Sequence, residues 1–368
     1  MILLLIWIFG IAVVIQILYW VFIFSKVALF KVPQKLDSTK FPPISVIICG
    51  HNEGHNFKKF LPQILEQDYP TFEVIVVNDR STDDSEVILN QFQEQYKHLK
   101  TLHLKDFDRQ LIGKKIALSK GLEVAQHEAV LLTDADCYPA SNQWIKWMST
   151  ALNHHEIGIA FVPFDRREGF LNRFLRYDKV YIAIQYLSFA LWGIPYMGAG
   201  ANLIYKKQLF FKNSGFEKHK HIASGDDDLF ISAVGKQQQV AITLHPDSFV
   251  YCEPKESWSG FYRQKSRHNS TSVHYNWYHQ VLLGGLALSH FMVYFGLITL
   301  LIFDGFSISW LGLFGLRWLV MLILYALITP KLKEHDLIIW LPIMDLLYIL
   351  YYVILAFPLL RGNNNRWE

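Results

Sequence analysis

AVLLTDADC, residues 129–137, is a run of apolar and β-branched residues that ends in two aspartates one residue apart. An unbroken run with no polar alternation is the pattern of a strand buried on both faces. Working outward, the same pattern recurs at residues 44–49 (ISVIIC), followed by His51, Asn52 and Glu53, and at residues 72–77 (FEVIVV), followed by NDRSTDDS and its Asp79. Helical apolar spacing fills residues 57–66, 85–96 and 113–124, and a short strand is expected at 101–104. This alternation predicts an α/β domain with a mostly parallel, doubly wound central sheet, whose ligand site lies at the carboxyl ends of the strands. Asp79, Asp134 and Asp136 are therefore expected on one sheet edge, with His51, Asn52 and Glu53 beside them.

The composition adds a second theme. The 368 residues are 52% hydrophobic and 15% aromatic, and the excess is concentrated in charge-poor runs at 2–25, 281–303, 308–329 and 337–359. Each is long enough to cross a bilayer as a helix. The first run lacks a basic leader and a small-residue cleavage site, so an uncleaved anchor is expected in place of a signal peptide. The predicted organisation is a transmembrane helix at 1–25, a domain at 26–280, three transmembrane helices within 281–360 and a tail at 361–368. Lys26, Lys31, Lys35 and Lys40 follow the first span, which puts the domain on the cytoplasmic side by the positive-inside rule. Lys331 and Lys333 agree with that topology, whereas Arg361 and Arg366 fall on the outer side.

A net charge of +3 is too small to suggest a nucleic-acid partner. Cys49, Cys137 and Cys252 read as small buried thiols of a reducing compartment, without metal-ligand spacing. Residues 169–196 are rich in aromatics but punctuated by Arg173, Arg176, Asp178 and Lys179. Two readings are open: an amphipathic segment at the bilayer surface, or a helix packed on the protein's own core. Arg317 and Asp345 fall inside predicted spans, where a lone charge is costly. Their backbone depths differ by roughly 8 Å at the helical rise, so they either pair or Arg317 snorkels outward.

The polar clusters carry the chemistry. Asp134 and Asp136 either cap a turn or project two carboxylates toward one divalent cation. Asp226, Asp227 and Asp228 crowd three like charges, which raises their proton affinity. A helix N-terminus explains part of the crowding, and a general base explains it functionally. Lys114 and Lys115 start a helix: either one of them meets a phosphate or the nucleobase, or both are simply solvated.

Taken in order, SVIICGHNE, VIVVNDRSTDDS, GKKIALSKGL, VLLTDADC, GAGANLIY, GDDDLF and RQKSRH resemble a family 2 glycosyltransferase with a GT-A fold, over about residues 42–270. The resemblance implies an inverting transfer of a sugar from a nucleotide-sugar donor to a hydroxyl. It implies that Asp79 binds the nucleotide and that Asp136, with Asp134, holds Mg2+ or Mn2+ against the diphosphate. The base would be in the acidic triplet, taken as Asp227 with the register open by one. Gln264 and Arg267 match an element that closes over the donor, while His268 stands where that element has tryptophan. Gly200, Ala201 and Asn202 match a segment on the acceptor side.

Four spans suit the addition of one sugar to a lipid or lipid-linked acceptor, in a bacterial inner (cytoplasmic) membrane. A processive polysaccharide synthase is the alternative enzyme. A non-catalytic membrane scaffold with a degenerate transferase domain is the alternative of another class.

Overall fold

The computed structural model describes residues 2–36, 41–105, 113–222, 224–235 and 240–361. Lys40, Arg366 and the tail 362–368 lie outside the described residues.

Seven strands form one sheet in the order β3-β2-β1-β4-β7-β6-β8. They are β1 (Ile44–Gly50), β2 (Phe72–Asp79), β3 (Leu99–Leu104), β4 (Ala129–Asp134), β6 (Ile157–Ala160), β7 (Leu203–Lys206) and β8 (Val240–Thr243). β7 runs antiparallel to both its neighbours, β4 and β6, and the remaining pairings are parallel. The apolar runs produce this because every residue of β1 is buried, as is all of β2 except Phe72. A strand covered on both faces needs side chains that lose nothing by leaving water. In register, Cys49 pairs with both Val77 and Asp134, so the chain leaves β1, β2 and β4 at one level of the sheet. A separate ribbon pairs β5 (Cys137–Pro139) with β9 (Val250–Cys252).

Twelve helices accompany the strands among the described residues. Those of the domain are α2 (Gly54–Leu65), α3 (Ser85–Gln95), α4 (Lys115–Val124), α5 (Trp144–Ser149), α6 (Phe170–Leu191), α7 (Lys207–Lys212), α8 (Asp228–Val234) and α9 (Trp258–Asn269). α4 lies so close to the sheet that a Cβ on Gly121 would stand 2.7 Å from Ile47 Cγ2, so no larger residue fits at that crossing. The other four, α1 (Ile2–Leu29), α10 (Trp277–Phe303), α11 (Ile308–Ile328) and α12 (Leu341–Arg361), are long and apolar enough to cross a membrane. α1 passes through a π-helical turn at Tyr19–Phe24 and runs past the expected end at residue 25.

Of the two readings of residues 169–196, packing on the protein's own core describes the structure. α6 is buried along nearly its whole length, between the sheet domain and the spanning helices. Arg176 forms ion pairs with Glu334 and Asp336 just before α12, and the Tyr177 ring stacks 6.0 Å from that of Tyr325 on α11. Trp192, just past its end, donates to the Phe22 carbonyl of α1 at 2.9 Å. The polar residues that break the hydrophobic pattern are the ones that tie it down.

Arg317 and Asp345 also resolve: they pair, each 1% exposed. Arg317 Nη1 lies 2.8 Å from Asp345 Oδ2 and Nη2 lies 3.2 Å from Oδ1. His290 Nε2 lies 3.0 Å from Asp345 Oδ1, and Tyr294 donates to Oδ2 at 2.6 Å. The long arginine side chain reaches across from α11 to the carboxylate on α12. Removing one partner of such a pair strands a buried charge, at a cost of about 3–5 kcal/mol, whereas removing both does not. Asp345→Leu alone is therefore expected to lower the unfolding temperature in detergent more than Arg317→Leu combined with Asp345→Leu. A double variant as unstable as the single one would count against a paired bundle.

Candidate active site

One cavity of about 1370 Å³ opens at the carboxyl edge of the sheet. Of the residues singled out from the sequence, it is lined by His51, Glu53, Lys114, Asp134, Asp136, Gly200, Ala201, Asp226, Asp227, Asp228, Gln264, Arg267 and His268. The sheet register delivers His51, Glu53, Asp134 and Asp136, the start of α4 brings Lys114, the turn before β7 brings Gly200 and Ala201, and α8 and α9 with the residues before them bring the rest.

The acidic side is differentiated. Asp134 ends β4 and pairs with the Lys114 ammonium, which also lies 3.9 Å from Asp226 Oδ2. Enclosure by protein opposes ionisation of Asp134, but the Lys114 charge prevails and holds its carboxyl below the usual range. Asp136 is shifted the other way, by enclosure and then by the charge of Asp134. Two oxygen-donor carboxylates, one of them short of positive partners, fit a hard divalent cation.

In the triplet, Asp228 is committed to structure. Its Oδ2 accepts from the Thr271 and Tyr275 hydroxyls, and its Oδ1 accepts from the Leu229 N–H at 2.7 Å. Asp227 caps α8 by accepting from the Asp228 N–H at 2.8 Å, and its Oδ2 accepts from the Gly200 N–H at 2.7 Å. A Cβ on Gly200 would stand 3.0 Å from that oxygen, so glycine is what lets the GAGAN segment close on the carboxylate. Enclosure, and then the charges of Asp226 and Asp228, push the Asp227 carboxyl up to about 8.

A basic side faces these carboxylates. α9 contributes Arg263, Gln264, Lys265, Arg267 and His268. Lys265 is ion-paired to Asp178, and Gln264 Oε1 is buried without a hydrogen-bond partner among the described residues. His268 is reached by solvent through the cavity yet surrounded by protein. That enclosure, then the charges of Lys265, Arg267 and Lys179, lower its imidazole well below the usual value, so it is neutral at pH 7. Lys179 on α6 was singled out only as polar punctuation, but it lines the cavity with its ammonium 4.6 Å over the Phe164 ring. Enclosure, then Lys265, lowers it to about 8. Its signal in the sequence was one of four charges that punctuate an aromatic-rich segment.

Four expected residues are not brought to the cavity wall among the described residues. Asp79 sits at the predicted edge, but both its oxygens are taken by Arg80, at 2.8 and 2.9 Å. Asn52 is exposed with φ +57° and accepts from the Thr82 N–H at 2.8 Å, fastening one edge loop to the next. Asn202 is fully buried in the core, where it accepts from Trp144 Nε1 and donates to the Phe161 and Ser248 carbonyls. Lys115 points the other way from Lys114, into the interior, and donates to the carbonyls of His219, Ile222 and Ser224 at 2.8, 2.6 and 2.7 Å. Adjacent helical side chains diverge by about 100°, so only one of the two lysines reaches the site.

The cysteine reading also needs correction. Cys137 and Cys252 are joined by a disulfide across the β5–β9 ribbon, and only Cys49 is a free thiol, raised to about 12 by burial. Ribbon pairing sets the two cysteines opposite each other, a juxtaposition invisible at a sequence separation of 115. The Asp136 carboxylate and the two sulfurs lie within 4.8 Å of one another. Thiolates ligate metals and disulfide sulfurs do so poorly, so the cross-linked pair adds no ligand to Asp136.

Residues 45–213 match the model of glycosyl transferase family 2. The chain is 25% identical over 249 residues to the probable glycosyltransferase YdaM of Bacillus subtilis, covering 64% of this chain and 57% of that one. It is 29% identical over 119 residues to a poly-beta-1,6-N-acetyl-D-glucosamine synthase of Staphylococcus epidermidis, covering 32% of this chain and 28% of that one. The chain thus spans less than two thirds of either relative's length. The mannosyltransferase PcManGT from Pyrobaculum calidifontis, solved with GDP-Man and Mn2+, shares the fold with a TM-score of 0.59 over 94% of this chain and 99% of that one, at 19% identity. Over residues 45–213 the chain is thus similar to glycosyl transferase family 2, and its α/β sheet domain has a GT-A-like fold.

Lys115 pins the loop that leads into Asp226, so its removal has a specific consequence. Lys115→Met is expected to open a new protease cut within residues 213–222, while Lys120→Met, on the exposed face of the same helix, leaves that loop intact. Identical digests of the two variants would deny Lys115 its anchoring role.

Proposed function

We propose that this membrane-anchored family 2 glycosyltransferase moves a sugar, with inversion, from a nucleotide-sugar donor to a hydroxyl of a lipid or lipid-linked acceptor. The observation that carries the reading is the meeting, in one cavity, of Asp227, whose carboxyl is raised to about 8, with a paired Asp134 and Asp136 and a cationic wall from α6 and α9. That is the equipment of a base facing a departing diphosphate.

Asp227 takes the proton of the acceptor hydroxyl. The oxygen attacks the anomeric carbon from the face opposite the nucleotide, the bond from that carbon to phosphate oxygen breaks, and the nucleoside diphosphate leaves with its electron pair. Arg267 and Lys179 receive the charge that develops on it, and the free Gln264 carbonyl accepts a hydroxyl of the donor. A divalent cation, Mg2+ or Mn2+, held by Asp136 and Asp134 would supply further neutralisation of the diphosphate. Among the three aspartates, Asp228 is occupied by Thr271 and Tyr275 and Asp226 faces Lys114, which leaves Asp227 for the acceptor. Likeness to a polysaccharide synthase keeps repeated transfer as a second reading.

The cytoplasmic side of a bacterial inner membrane is favoured by Lys26, Lys31 and Lys35 after the first span, because basic loops stay inside. The Cys137–Cys252 bond weighs the other way, since disulfides persist in oxidising compartments. Trypsin added to intact spheroplasts should leave the domain whole, and cleavage there would reverse the orientation.

A screen of nucleotide sugars with the purified protein and host membrane lipids, with and without Mn2+, tests the transfer itself. One sugar mass added to one lipid class is expected; a ladder of masses would establish the synthase. Asp227→Asn should abolish transfer while donor affinity stays within about threefold. Because the base acts only when ionised and its carboxyl sits near 8, kcat/KM should rise about tenfold per unit below that pH, and fall again above it as Lys179, also near 8, loses its proton. A flat profile from pH 6 to 9, or full turnover by the variant, would remove Asp227 from this role.

A further inference from the structure

The cavity does not stop at the sheet edge. The same continuous space that touches Asp227 runs on between α10 and α12, where its wall becomes Leu283, Leu286, Ala287 and Phe291 from one helix and Val353 and Leu355 from the other. Both helices start on the side of the sheet domain. α10 follows directly on α9 and its active-site residues, and α12 follows the turn whose Glu334 and Asp336 hold Arg176. Phe291 and Leu355 each stand fourteen residues past the starts of their helices at Trp277 and Leu341. At about 1.5 Å per residue the cavity therefore descends about 21 Å, into a hydrocarbon layer about 30 Å thick.

Its character changes along that descent. Carboxylates and cations surround the upper end, tyrosines 348, 351 and 352 stand at the junction, and aliphatic and aromatic carbon lines the rest. A passage for a growing glycan needs hydrogen-bonding groups along its length, because buried hydroxyls without partners are costly. The described residues at the lower end supply almost none. Leu288 and Leu350 on the same helices, 58% and 60% exposed, do not line the cavity, whereas Leu286 and Leu355, 1% and 6% exposed, do.

We propose that the space between α10 and α12 holds the hydrocarbon chain of the acceptor, so that a membrane lipid enters there and presents its hydroxyl end to Asp227. The inference rests on the glycosyltransferase reading and narrows its acceptor to a lipid whose chain reaches mid-membrane. It also places the determinant of acceptor choice on α10 and α12, outside the sheet domain.

The test is to fill the chamber. Ala287→Trp, with Leu288→Trp as the exposed control, is reconstituted in vesicles of host membrane lipid with the donor selected by the screen. Transfer to lipid and hydrolysis of the donor by water are followed together. Ala287→Trp should lower lipid transfer at least tenfold with donor hydrolysis unchanged, and native mass spectrometry should show fewer lipids retained than in Leu288→Trp. Lipid transfer at the wild-type rate by Ala287→Trp would overturn the proposal. Absence of both activities from the wild-type protein would overturn the glycosyltransferase reading on which it stands. If Ala287→Trp also loses donor hydrolysis, Leu283→Phe, a smaller filling of the same chamber, decides by the same criteria.

Discussion

Asp178 is the point on which the architecture turns. It is fully buried on α6, paired with Lys265 of α9, and accepts from the Tyr348 hydroxyl of α12 at 2.8 Å. A buried carboxylate is tolerable only when its lone pairs are satisfied, so the three elements must meet at this spot. One is the strut behind the sheet, one carries the cationic wall of the site, and one spans the membrane. Fixing them together aligns the catalytic edge with the bundle and gives the cavity its two chemically different ends.

The active-site charges are arranged by similar constraints. Lys114 bridges Asp134 and Asp226, and so couples the end of β4 to the loop before α8. Lys115 secures that loop from behind through three backbone carbonyls. Asp228 is consumed by Thr271 and Tyr275, which ties α8 to the segment entering α10. The crowded triplet is thus partly scaffold. The hydrogen bonds to Asp228 favour its ionised form, and its charge, after enclosure and the charge of Asp226, helps give Asp227 its high proton affinity.

The disulfide sets a constraint of another kind. It joins the ribbon next to Asp136 to the segment that leads into α9, so the acidic and basic walls are linked covalently. In a reducing compartment the same two cysteines would hold only by the three-residue β pairing.

Much was legible in the sequence because it is written in local patterns. Unbroken β-branched runs gave β1, β2 and β4 nearly to the residue, charge-poor stretches gave the four spanning helices, and acidic turns after buried strands gave Asp134 and Asp136. These depend on burial and periodicity, which the chain encodes over a few residues. Side-chain direction was not legible in the same way. Whether Lys114 or Lys115 faces the site, and whether Asn202 lines it or supports the core, depends on which neighbours pack against each face. Partners distant in sequence were hidden too: Cys137 with Cys252, Asp178 with Lys265 and Tyr348, and α10 with α12 around the apolar chamber. The chain determines where buried and polar segments fall. Only tertiary packing, where desolvation forces each buried polar group to find its partner, decided which residues meet.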